Sequence, residues 1–184
     1  MPVNLFDAPL GPLMPGASIA QNTFTAAKDL PVGENATALY TVFGQTVHPG
    51  TQMVVEAWGV ASNTATPTLI LGVYWGGVAG TALAASTAKT TTTAMSNWEW
   101  HLWFAGRFTN VGTATTGGSF IGSGYWNLPT SLTAWTQIRL PETAPAAVAI
   151  DTTINKTVTI GATWSASSVS NTITCHYCNV DIRG

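Results

Sequence analysis

Charge is what this chain has least of. Its 184 residues include six Lys or Arg and eight Asp or Glu, 8% in all, against roughly 25% in an ordinary soluble domain. Disorder is excluded as the reason, because disordered chains are charge-rich and poor in aromatics, whereas this one is 46% hydrophobic and carries eight Trp. The few basic residues (Lys28, Lys89, Arg107 and Lys156 among them) form no run and the formal charge is −2. No stripe is available to track phosphates, so nucleic acid is not an expected partner. Long apolar runs are also lacking. Ala79–Ala88 is too short and too polar for a membrane span. Met1 is followed by neither a basic region nor an unbroken apolar one, so no signal peptide and synthesis in a cytoplasm are expected. Charges normally keep soluble molecules apart. Their scarcity therefore points to a surface that partners cover.

At this length one domain with a sizeable core is expected. Residues 1–18 stand apart from it. Pro2, Pro9, Pro12 and Pro15, with Gly11 and Gly16, exclude helix and sheet interior. Leu5, Phe6, Leu10, Leu13 and Met14 make the segment too apolar for a solvated tail. An extended arm lying on its own domain or on a neighbouring subunit is the expectation, with Pro2, Leu5, Phe6, Pro9, Leu10, Pro12, Leu13 and Met14 as its contact residues.

The rest of the chain, 19–184, alternates with period 2. Met53, Val55 and Ala57 oppose Val54, Trp58 and Val60, with Glu56 breaking the second set. Thr66–Val73 is almost continuously apolar, as in a strand covered on both faces. Trp98, Trp100, Leu102 and Phe104 share one face of the strand predicted over Asn97–Phe108, opposite Glu99, His101 and Trp103. Weaker strands are predicted at Ala82–Ala88, Ser119–Trp126 and Val148–Ile150. Val158, Ile160, Ala162 and Trp164 alternate with Thr157, Thr159, Gly161 and Thr163, and Ile173–Ile182 closes the chain. No window carries a capped helical stripe, and Thr, Val and Gly dominate throughout. The fold predicted is all-β, an antiparallel jelly-roll-like sandwich of about eight strands with a Pro-rich N-terminal arm.

Chemistry-bearing patterns are few. Cys175-His176-Tyr177-Cys178 is a C-x-x-C inside a predicted strand, and there is no further cysteine. Residues i and i+3 of a regular strand face opposite ways, so these thiols are expected to pack as small hydrophobes. Ile173, Cys175 and Tyr177 run in one phase and Cys178, Val180 and Ile182 in the other, which a β-bulge near Tyr177 would explain. His48, His101 and His176 show no metal-ligand spacing, and Glu99 with His101 lacks a third ligand. No nucleophile elbow, phosphate loop or dinucleotide fingerprint is present. Neither a cofactor, nor a metal, nor catalysis is expected. Trp98 and Trp100 read as core, leaving Trp103 and Trp126 as the candidates for exposure and for stacking on a sugar.

The C-terminal pattern carries a resemblance. Ala149-Ile150-Asp151-Thr152-Thr153, Thr157-Val158-Thr159-Ile160, Ala162-Thr163-Trp164-Ser165-Ala166-Ser167 and Ser170-Asn171-Thr172-Ile173-Thr174-Cys175 resemble small virion structural proteins of tailed bacteriophages. These are of the head-decoration, capsid-stabilising or minor-tail type. The likeness covers the last third well, extends loosely to Thr66–Gly72 and to Trp98–Trp100, and does not reach residues 1–50. It implies a jelly-roll protein, commonly a homotrimer, on the virion exterior and in contact with the major capsid protein. Its motifs mark a setting and not an activity. The expected function is a non-enzymatic decoration or cement protein for the head. The alternative is a tail-associated adhesin or carbohydrate-binding module that contacts host-surface glycans or other virion proteins. An enzyme with Glu99 or Glu56 as acid is a distant third, since neither has an apparent partner carboxylate.

Overall fold

The computed structural model describes residues 19–30 and 40–184. The predicted arm and its contact residues (Pro2, Leu5, Phe6, Pro9, Leu10, Pro12, Leu13 and Met14) lie outside them. The described chain is all-β, without a helix. Its strands are β1 (Lys28–Asp29), β2 (Tyr40–Val42), β3 (Gln52–Ser62), β4 (Thr68–Trp75), β5 (Thr81–Ala85), β6 (Lys89–Thr90), β7 (Trp98–Asn110), β8 (Ser119–Ser131), β9 (Ala134–Leu140), β10 (Val148–Ala149), β11 (Lys156–Trp164) and β12 (Thr172–Arg183). They form two antiparallel sheets. The front sheet runs β10-β8-β7-β3-β12, with β9 also on β8. The back sheet runs β1-β11-β4-β5, with β2 on β11 and β6 on β4.

Period-2 alternation supplies each sheet with one apolar face, and one hydrophobic cluster joins the two. Met53, Val55 and Ala57 of β3 and Trp100, Leu102, Phe104 and Phe108 of β7 meet Leu69, Leu71, Val73 and Trp75 of β4 and Val158, Ile160 and Trp164 of β11. Trp75 of the back sheet packs edge-on against Phe108 of the front sheet at 5.6 Å between ring centroids. The Trp75 indole N–H donates to the Asp151 carbonyl at 2.8 Å, so this large side chain enters the core with its polar atom satisfied. The second half of β4 is buried on both faces, with the Tyr74 ring lying over Gly161 of β11.

The predicted bulge is present. The register of β12 on β3 shifts between Cys175 and Tyr177, leaving His176 as the extra residue. The shift overturns the expectation for the thiols. Cys175 stands opposite Gly59 and Cys178 opposite Ala57, both on the inward parity of β3, while Tyr177 turns outward beside Trp58. The bulge is tied into the core as well. Gly59 has no side chain, so the Trp100 ring beside it in β7 reaches across β3, and its N–H donates to the Thr174 carbonyl at 3.2 Å. A Cβ at Gly59 would collide with that same carbonyl oxygen.

The sequence reading missed β9. Its alternation is legible, with Ile138 and Leu140 buried between exposed Gln137 and Arg139. It adds a second neighbour to β8 and extends the front sheet beyond the predicted end of that strand at Trp126.

Candidate binding face

The inward side of the front sheet belongs to the core, so any site on this sheet must use the other side. Alternation places Glu56 and Trp58 of β3, His101 and Trp103 of β7, Tyr125 and Asn127 of β8, and Gln137 and Arg139 of β9 outward. Register then arranges them in rows. Tyr177, Trp58, His101, Asn127 and Gln137 follow one another across the strands. The next row is Asn179, Glu56, Trp103, Tyr125 and Arg139.

At the centre of these rows is a square tile. Trp58 and Trp103 occupy one diagonal, Glu56 and His101 the other. Diagonal neighbours on a sheet face lie within reach of long side chains, and here they touch: His101 Nε2 is 3.3 Å from Glu56 Oε1. Each indole has an aromatic companion. Trp103 stacks on Tyr125 with ring centroids 5.8 Å apart and planes 27° apart. Trp58 leans against His176, the bulge residue, at 5.5 Å. Trp58 remains 40% exposed and Trp103 37% exposed, well above the accessibility of the core indoles.

The residues singled out from sequence fare differently. Trp103 lies at the surface on the tile. Trp126 does not; it is 0% exposed and corrects the expectation. The predicted strand ended at Trp126, which placed that ring at a strand terminus. Strand β8 in fact runs on to Ser131, and Trp126 shares inward parity with Phe120 and Leu128, flanked by Leu102 and Ile138. Its indole nitrogen is buried with no hydrogen-bond partner among the described residues. Trp58, Tyr125, His176 and Arg139 were not singled out. The available signal was Glu56: a carboxylate two residues from Trp58, on the same strand parity, marks that parity as outward.

The remaining acids mostly serve the backbone. Asp29 accepts the Val78 N–H at 3.0 Å and the Thr159 hydroxyl at 2.7 Å. Asp151 accepts from Thr153. Glu142 takes the Thr87 N–H at 2.7 Å and pairs with Lys89. Among the described residues no group of three His, Cys, Asp or Glu is placed to hold a metal, and no helix is long and apolar enough to cross a membrane. The two cysteines are free. Burial pushes the Cys178 thiol up to about 12, and burial, with Cys178 nearby, raises Cys175 well above its ordinary value. The Cys175 thiol donates to the Tyr177 carbonyl at 3.2 Å. Both thiols are thus held in the form that is a poor nucleophile.

No family model, curated protein or solved structure matches the chain.

Proposed function

We propose that this chain is a non-enzymatic structural protein of a tailed-bacteriophage virion. In this reading it binds the outside of the head shell as an oligomer, a homotrimer in the form we favour, with the major capsid protein as its partner. The carrying observation is the surface itself. A chain with so few charges leaves large apolar side chains in solvent, with Leu132 80% and Trp135 65% exposed at the β8–β9 turn. Phe43 and Ile154 are exposed where Gly44 closes against the backbone of Thr153 and Ile154. Contacts between subunits or with a shell cover such groups. At about 25 cal/mol per Å² of apolar area removed from water, modest patches add up when repeated over a shell.

A jelly-roll winding belongs to the proposal, as does the arm formed by residues 1–18. The reading itself needs only the two-sheet sandwich. The test is reconstitution on particles lacking the protein. The full chain is expected to bind at a copy number set by the lattice and to be oligomeric by light scattering. Removing residues 2–16 is expected to abolish capsid binding while the β domain stays folded. Full occupancy by the truncated chain, or a full chain that is monomeric and ignores capsids, would contradict the proposal.

A further inference from the structure

We infer that the outward face of the front sheet is a binding site for a neutral oligosaccharide, seated across Trp58 and Trp103 and hydrogen-bonded by Glu56 and His101. The inference adds a ligand to the virion reading and does not depend on it.

The tile offers the two kinds of contact that a sugar ring presents. A pyranose has an apolar face of C–H bonds, which suits the electron-rich face of an indole. It also has a rim of hydroxyls, each needing partners that donate and accept. Two part-exposed indoles on one diagonal provide the first. The second comes from the other diagonal. His101 holds Glu56 through Oε1, which fixes the carboxylate in place before a ligand arrives and leaves its second oxygen open. Orientation made in advance lowers the entropy cost of binding. Asn127, next to His101 in the row, has a side-chain oxygen with no partner among the described residues. The hydrogen-bonding capacity of the face is therefore not used up internally.

Other occupants fit less well. An apolar protein surface, including a second copy of this chain, would seal a half-exposed carboxylate and an imidazole away from water without replacing their solvent contacts, which is costly. An anionic ligand would meet Glu56, Glu99 and Asp181 on the same face. A neutral, hydroxyl-rich chain satisfies the carboxylate and covers the rings together.

The experiment titrates the full chain with maltohexaose, cellohexaose and chitohexaose, and with dextran sulfate as the anionic arm. Tryptophan fluorescence reads binding, and light scattering reads the oligomeric state. At least one neutral hexasaccharide is expected to give a saturable change in emission. Trp58→Ala and Trp103→Ala should each weaken it about tenfold. Glu56→Gln should weaken it by a smaller factor, with all three variants unfolding at the wild-type denaturant midpoint. The inference fails if none of the neutral sugars binds saturably, if binding survives both Trp substitutions, or if dextran sulfate binds more tightly. It fails equally if Trp58→Ala dissociates the oligomer, since the face would then lie between copies. Capsid occupancy of the same variants, expected unchanged, separates failure here from failure of the virion reading.

Discussion

Deleting His176 should shorten β12 by the one residue that its partner strand does not match. In the intact chain Cys175 pairs with Gly59 and Tyr177 with Trp58, so His176 is the unmatched residue between them. Without it, Ile173, Cys175, Cys178, Val180 and Ile182 keep their inward parity and Tyr177 and Asn179 stay outward. Two contacts are lost. The Thr174 carbonyl, now returned to the ladder, no longer accepts the Trp100 N–H, and Trp58 loses its imidazole neighbour. Together these cost about 1–3 kcal/mol. The comparison is deletion of Glu56, also an outward polar residue. Strand β3 is paired on both sides, without interruption on β7 from Gln52 to Ala61. Losing one residue there turns either Met53 and Val55 or Ala57 and Ala61 out of the core, since a slip of one residue exchanges the faces. Exposing Met53 and Val55 alone costs about 3–6 kcal/mol, and polar neighbours are buried in exchange. That is a large part of the stability of a domain of this size. Denaturant titration followed by tryptophan emission measures both. A thiol reagent supplies a second readout, because Cys175 and Cys178 stay masked only if the inward phase of β12 survives. Equal losses for the two deletions, or reactive thiols in a folded His176 deletion, would refute the assignment of the bulge.

Three further outcomes follow from the same geometry. Trp126→Ala should cost about 3–5 kcal/mol, the toll of emptying a buried aromatic site, whereas Trp58→Ala on the outward face should cost less than about 1 kcal/mol; similar losses in chemical denaturation would contradict the inside–outside assignment. In the native protein neither cysteine should react with an aromatic disulfide reagent at pH 8, and both should react once the chain is unfolded. Stability should also fall in alkali. The Cys178 thiol ionises near 12 when folded against an ordinary 9.0, so between those values the unfolded chain has released a proton that the folded chain still holds. Raising the pH therefore favours unfolding by up to about 1.4 kcal/mol per pH unit from this group. Cys178→Ala should flatten the decline, and an unchanged slope would show that the thiol is not buried as described.

Much of the fold was legible because alternation is a local property. Trp98 to Phe104, Val158 to Trp164 and the phase change after Cys175 can each be read from one strand alone, and each appears where expected. The site was not legible in the same way, because alternation gives a strand two faces without saying which is covered. A tryptophan suits either face, and on β8 the decision turned on where the strand ends. Asn127 and Pro129 look like a terminus after Trp126. They are tolerated because pairing of β8 with β7 begins only at Asn127, while β9 continues to pair with β8 beyond it. With that stretch restored, Trp126 falls mid-strand and inward. The outward identity of Trp58 needed a second strand as well. Glu56 hints at it, but the tile exists only because β3 and β7 register Trp58 against His101 and Glu56 against Trp103. A shift of one residue between those strands would scatter the same residues across both faces. The binding face is thus a product of register, and register is a relation between distant segments that no single window of sequence contains.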